Sequence, residues 1–158
     1  MSVKWTDVVT ALGTLAIPVA LYFAADTTQE AQRRIAVETR TLDLMNDMDR
    51  RVSKIVSDKV KSDAQHNKLN GEQFRYDYIS SDKAVEGLVF QLLNEYDYLC
   101  LGANEGLLST EIVKRIRGDA LKQTWHDYDG YVKAHRASKP AAVNAWSECD
   151  AWLKKNVS

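Results

Sequence analysis

From Val8 to Ala25 the chain reads VVTALGTLAIPVALYFAA, eighteen residues without a charge, closed by Asp7 and Asp26. At ~1.5 Å per residue a helix of this length covers about 27 Å, close to the hydrocarbon thickness of a bilayer. The pattern predicts a transmembrane helix over 8–25 preceded by a short extracytoplasmic tail, residues 1–7. Trp5 and Tyr22 fall where amphipathic rings lie at the two interfaces, and Pro18 predicts a bend. A buried core helix is one competing reading of the stretch. A cleaved signal peptide is another, but cutting after Ala24 or Ala25 puts Tyr22 or Phe23 at the −3 position, where small residues are required; an interfacial helix is the third, but the segment lacks the strong polar face it needs.

From Thr27 to Lys61 there is neither Gly nor Pro, and Leu42, Met45, Met48, Val52, Ile55 and Val56 fall mostly on one helical face. This predicts a charged long helix over 26–62. Met45–Val52 and Met48–Ile55 repeat after seven residues, the spacing of a short parallel coiled coil; the competing account packs the same stripe on its own domain. Residues 63–81 read as a polar connection with an Asn70-Gly71 turn. A helical domain over 82–158 follows. Its first helix carries Val85, Leu88, Val89, Leu92, Leu93, Tyr96, Leu99 and Cys100, is capped by Ser80, Ser81 or Asp82, and stops near Gly102. Asn104 and Gly106 suit positive φ in the turn beyond it. The next helix starts at Ser109 or Thr110 and is broken between Lys133 and Pro140. A final helix opens at Ser138, with Val143, Trp146, Cys149 and Leu153 on its apolar face and Trp152 beside it. No segment alternates as a strand does, so the fold class is all-α: one spanning helix, a long helix, and a bundle of four or five helices in all.

Charge changes the picture in two ways. Lys+Arg 21 against Asp+Glu 22 gives a formal charge of −1, which excludes a nucleic-acid binder working through a broad cationic surface. Around the span, Lys4 faces Arg33, Arg34 and Arg40, so the positive-inside rule places the N-terminus outside and the C-terminal domain in the cytoplasm. Cys100 and Cys149 are too few for a disulfide framework, and as unpaired thiols they agree with a reducing compartment. Within the span Gly13, Ala16, Ala20 and Ala24 form a small-residue stripe on which two copies can associate.

Catalytic chemistry is thin. The Gly102 to Gly106 loop lacks the strand and lysine of a phosphate loop, and neither HExxH nor CxxC occurs. His126 and Asp129 lie three apart on one helical face and can share a metal or a proton, but a site would need His66, His135, Glu148 or Cys149 to converge from elsewhere. Asn94, Glu95 and Asp97 on one helix and Lys114, Arg115 and Arg117 on the next suit interhelical polar pairing, with Asn94, Glu95, Asp97, Arg115 and Arg117 as the candidates. No catalytic, cofactor or metal site is assigned.

The segment LLNEYDYLCLGANEGLLSTEIVKRIRGDALKQTWHDYDGYVKAHR, with the apolar stretch before it, resembles a bacterial and prophage family of membrane-anchored proteins carrying a domain of unknown function. Asn94, Glu95, Gly102, Gly106, Leu107, Leu108, Ile112, Trp125, Tyr131 and Arg136 carry the resemblance. It implies a single-pass anchor with a helical cytoplasmic domain, often borne by mobile elements. The expectation from sequence is therefore a membrane-anchored, non-enzymatic interaction module, a homo-oligomer with a protein partner, in a prophage exclusion or host-modulating role. A metal-dependent or hydrolytic domain using His126 and Asp129, and an oligomeric membrane-disrupting effector, are the alternatives.

Overall fold

The computed structural model describes residues 5–68 and 70–157, with side chains from Thr27 onward. Five α-helices follow in order: α1 Trp5–Gln65, α2 Tyr76–Ser81, α3 Lys83–Asn104, α4 Thr110–Ser138 and α5 Ser147–Asn156. Short 3-10 turns lie at Glu72–Phe74 and Pro140–Ala142, and there is no strand among the described residues. Among those residues no helix is long and apolar enough to cross a membrane. The side chains of the predicted span 8–25, with Gly13, Ala16, Ala20 and Ala24, lie outside them. The chain divides into two compact units, residues 1–37 and 38–158.

Within residues 38–158, α1 buries a single stripe at helical spacing: Thr41, Met45, Met48, Ile55, Lys59 and Asp63, with half-buried Val52 between them. The methionines and Ile55 enter the same core as Val89 and Leu93 of α3 and Val113 and Leu121 of α4. The seven-residue repeat is therefore used inside the domain, not as a coiled-coil seam. Leu42 and Val56 are each 42% exposed, at the edges of that stripe.

The polar members of the stripe are all partnered. Thr41 Oγ1 accepts from the Ser109 amide at 2.8 Å and ties α1 to the start of α4. Lys59 Nζ donates to both Asp63 carboxylate oxygens, at 2.7 and 2.8 Å, and to the Gln73 carbonyl at 3.1 Å. The Tyr78 hydroxyl donates to Asp63 Oδ1 at 2.9 Å. Burial, with the Asp63 carboxylate beside it, pushes that hydroxyl up to about 12, so it stays a donor. One buried ion pair thus fastens the end of α1, the 3-10 turn and α2.

The α3 and α4 boundaries follow local chemistry. Asp82 caps α3 by accepting from the Ala84 and Val85 amides, and Ser109 caps α4 by accepting from the Ile112 amide. Between them Gly106 holds φ +67, and the Gly102 carbonyl accepts from the amides of both Leu107 and Leu108. A Cβ on Gly102 would stand 2.7 Å from Leu108 Cδ1, so any larger residue there would require the buried Leu108 side chain to shift.

Three expectations change. The segment 63–81 is not only a connection: it contains the last turn of α1 and all of α2, whose Tyr78 and Ile79 are buried. The last helix begins at Ser147, not Ser138. The residues around Pro140 make a 3-10 turn, Val143 is 63% exposed, and Trp146 turns the chain through a left-handed φ of 58. Finally, Cys100 and Cys149 are not unpaired. They form a disulfide between α3 and α5, with Cα atoms 5.0 Å apart, which removes the support that free thiols lent to a reducing compartment. The bridge spans 49 residues of sequence; by chain entropy a loop of that size stabilises by ~4 kcal/mol.

Asp63→Ala should destabilise the domain by about 3–5 kcal/mol in denaturant melts, because Lys59 is left charged and buried without its carboxylate. Replacing both partners, as Lys59→Met with Asp63→Leu, should cost far less. Equal losses from the single and double variants would contradict the pairing.

Candidate functional site

The polar residues singled out on α3 do not face α4. Asn94 Oδ1 accepts from the Trp146 indole at 2.7 Å. Glu95 takes a two-pronged contact from Arg51 of α1, both bonds at 2.8 Å. Asp97 Oδ1 accepts from the Cys149 amide at 2.9 Å. On α4, Arg117 pairs with Asp49 of α1, while Arg115 is exposed and meets none of the three. The expectation of α3 carboxylates opposite α4 cations is thus corrected: α1 lies against both helices and supplies the partner of each, and α5 takes the rest.

Asn94, Asp97, Cys100 and Asn104 run along one line of α3, and each holds α5 or its lead-in. Asn104 Nδ2 donates to the Glu148 carbonyl and carboxylate, at 3.0 and 2.9 Å. Asp97 also receives the Glu148 amide, so a carboxylate from another helix does for α5 what an N-cap side chain normally does. Burial raises the Asp97 carboxyl above its ordinary value; the Glu148 and Asp150 charges add to this, and the two amide bonds oppose it. Trp125 Nε1 and Arg136 both reach Asp150, at 2.7 Å each, and Arg136 donates twice more to the Ala145 carbonyl.

His126 and Asp129 do share a surface. With Lys122, Trp125, Gly130, Leu153 and Val157 they line an open groove of about 470 Å³ between α4 and α5. Asp129 is bonded to Lys133 at 2.7 Å. None of the residues needed to complete a metal site joins them. Cys149 is in the disulfide, Glu148 is on Asn104, His66 lies against Ser62 and Asp82, and His135 is buried elsewhere. Among the described residues no group of three potential ligands forms.

A second groove, about 370 Å³, runs between α1 and α3 and is lined by Arg51, Lys54, Ile55, Gln91, Asn94, Glu95 and Tyr98. The bidentate Arg51–Glu95 pair crosses it, Ile55 forms its apolar floor, and Tyr98 stands 70% exposed at its rim. Two of its members, Asn94 and Glu95, were visible as candidates; Tyr98 was not, because nothing in the spacing separates an outward tyrosine from a core one.

His135, named from the sequence only as a possible converging ligand, is a buried titratable group inside an aromatic cluster. It is 2% exposed, ringed by Phe90 at 5.0 Å, Trp146 at 5.3 Å and Tyr131 at 5.8 Å between ring centroids. Its Nδ1 finds no acceptor or donor among the described residues. Burial holds its pKa below the ordinary histidine value; Lys139 adds to the depression and Glu86 opposes it. The folded state therefore binds the proton less readily than the unfolded chain, and stability present above the unfolded value of about 6.5 is lost as pH falls through the folded one. Denaturant melts between pH 7.5 and 5 should show this loss, and His135→Phe should flatten it while leaving the slope from other groups.

The comparison with protein families gives a match over residues 7–154 to the domain of unknown function DUF4760. Neither curated proteins nor solved structures give a match. The family match covers nearly the whole chain, both the apolar N-terminal stretch and the helical domain with its α3–α5 clasp, and the chain belongs to the DUF4760 family.

Proposed function

We propose that this chain is a membrane-tethered, non-enzymatic protein-interaction module. The observation that carries the reading is the α1–α3 groove: an exposed tyrosine beside an arginine, over an apolar floor, is the composition of a binding hot spot and not of a reaction centre. The polar side chains that looked available for chemistry are spent on holding helices together, and the His126–Asp129 groove lacks a converging third group. The tether is the uncharged 8–25 stretch. Arg33, Arg34 and Arg40 favour a cytoplasmic domain with the N-terminus outside, and Gly13, Ala16, Ala20 and Ala24 favour self-association in the bilayer. An exclusion or host-modulating role belongs to the same reading.

The test uses the full chain in native membranes. It should resist extraction by alkaline carbonate, and a photo-crosslinking amino acid at Tyr98 should yield one discrete adduct that the same probe at exposed Glu111 does not. Tyr98→Ala should weaken capture of that partner by at least about tenfold. Release by carbonate refutes the tether; equal adducts at both positions, or none, refute the groove.

A further inference from the structure

We propose that the Cys100–Cys149 bond is a redox-controlled latch that fixes α5 on α3, so that reduction frees the last helix while the rest of the domain stays folded. The inference rests on the cytoplasmic placement proposed above. In a reducing compartment a persistent structural disulfide is unusual, and the disulfides found there are mostly redox-sensing or catalytic.

Three features of the clasp make the bond decisive. First, α5 is only ten residues long; a helix this short has little stability of its own. Second, docking α5 is costly without the bond. Trp152 is fully buried, yet its indole Nε1 finds no acceptor among the described residues. The chain enters α5 through Trp146 in a left-handed conformation that L-residues rarely adopt. Asp97 is half-buried, and the charges of Glu148 and Asp150 oppose its ionised form. Third, both cysteine sulfurs belong to fully buried residues, so a reductant reaches them only when α5 lifts. The bond and the docking of α5 are thereby coupled: opening admits the reductant, and loss of the bond favours opening.

The chemistry is thiol–disulfide exchange with a glutathione-class thiol. Its thiolate attacks one sulfur, forms a mixed disulfide, and expels the other cysteine as a thiolate that takes a proton. A second thiol of the reductant resolves the mixed disulfide. Cys100 and Cys149 end as thiols and the reductant as its own disulfide. Reoxidation by the oxidised form of the same couple reverses each step, and the paired Cα positions of the closed state hold the two sulfurs within reach.

The purified full chain is equilibrated in glutathione buffers at the cytosolic poise and at an oxidising one, its thiols are trapped with a maleimide-linked polymer, and amide exchange is followed by mass spectrometry. At the cytosolic poise both cysteines should label. Exchange in residues 149–156 should rise by at least about tenfold, while the centres of α3 and α4 change by less than about twofold. The Cys100→Ser, Cys149→Ser double variant should show the faster α5 exchange in both buffers. The idea is overturned by a bond that survives the cytosolic poise, by α5 exchange that does not respond to reduction, or by α3 and α4 rising together with α5. None of these readouts involves the Tyr98 partner, so they fail or succeed apart from the groove. A C-terminal reporter found outside the cytoplasm would overturn the placement and the switch together.

Discussion

A ten-residue helix stays ordered only if something outside it supplies the stability it cannot generate. For α5 that support comes from one line of α3. Asn94 anchors the Trp146 indole, Asp97 caps the first amides, Cys100 makes the covalent bond, and Asn104 binds Glu148. The line in turn requires α3 to run unbroken to Asn104, and that depends on the tight turn made by Gly102 and Gly106. Trp152, the largest fully buried side chain, fills the core from α5. Four positions of α3 thus fix where the last helix lies and where Trp152 enters the core.

The same economy governs α1. An apolar stripe with polar members is normally a liability, because an unpaired buried donor or acceptor costs about 1–3 kcal/mol. Here each polar position meets a backbone or side-chain partner brought by a different element: Thr41 by the start of α4, Lys59 by the 3-10 turn, Asp63 by α2. These contacts are directional, so they fix the register of α1 against its neighbours in a way that Met45, Met48 and Ile55 cannot. Methionine packs adaptably and specifies position poorly.

Much of this was legible in the sequence. The 3.6-residue spacing located α3 and α4. Asp82 was one of three candidate caps and Ser109 one of two candidate helix starts; Gly106 took the positive φ expected of it, whereas Asn104, expected to do the same, stays in the last turn of α3. What was hidden has a common cause: partner choice is a tertiary property. Asn94, Glu95 and Asp97 were found, but the helices that answer them come from 44 to 52 residues away in sequence. Cys100 and Cys149 sit at ordinary apolar positions, and only the crossing of α3 and α5 shows that they meet. α2 was missed because six residues are too few for periodicity to register. α5 was begun too early because a proline after a serine signals a helix start whether or not the helix continues beyond one turn.

Several residues that carry the family resemblance turn out to be parts of the scaffold. Gly102 and Leu108 close the hairpin, and Asn94, Trp125 and Arg136 grip α5 or its lead-in. Asn94 and Glu95 also line the α1–α3 groove, Glu95 through its pair with Arg51, and Trp125 lines the α4–α5 groove. Among the described residues Arg117 Nε, Tyr131 Oη, His135 Nδ1 and Trp152 Nε1 are buried without a hydrogen-bond partner. Buried groups of that kind meet water when the fold around them opens, so α5, which carries Trp152, and the aromatic cluster around His135 are where opening would change their bonding most.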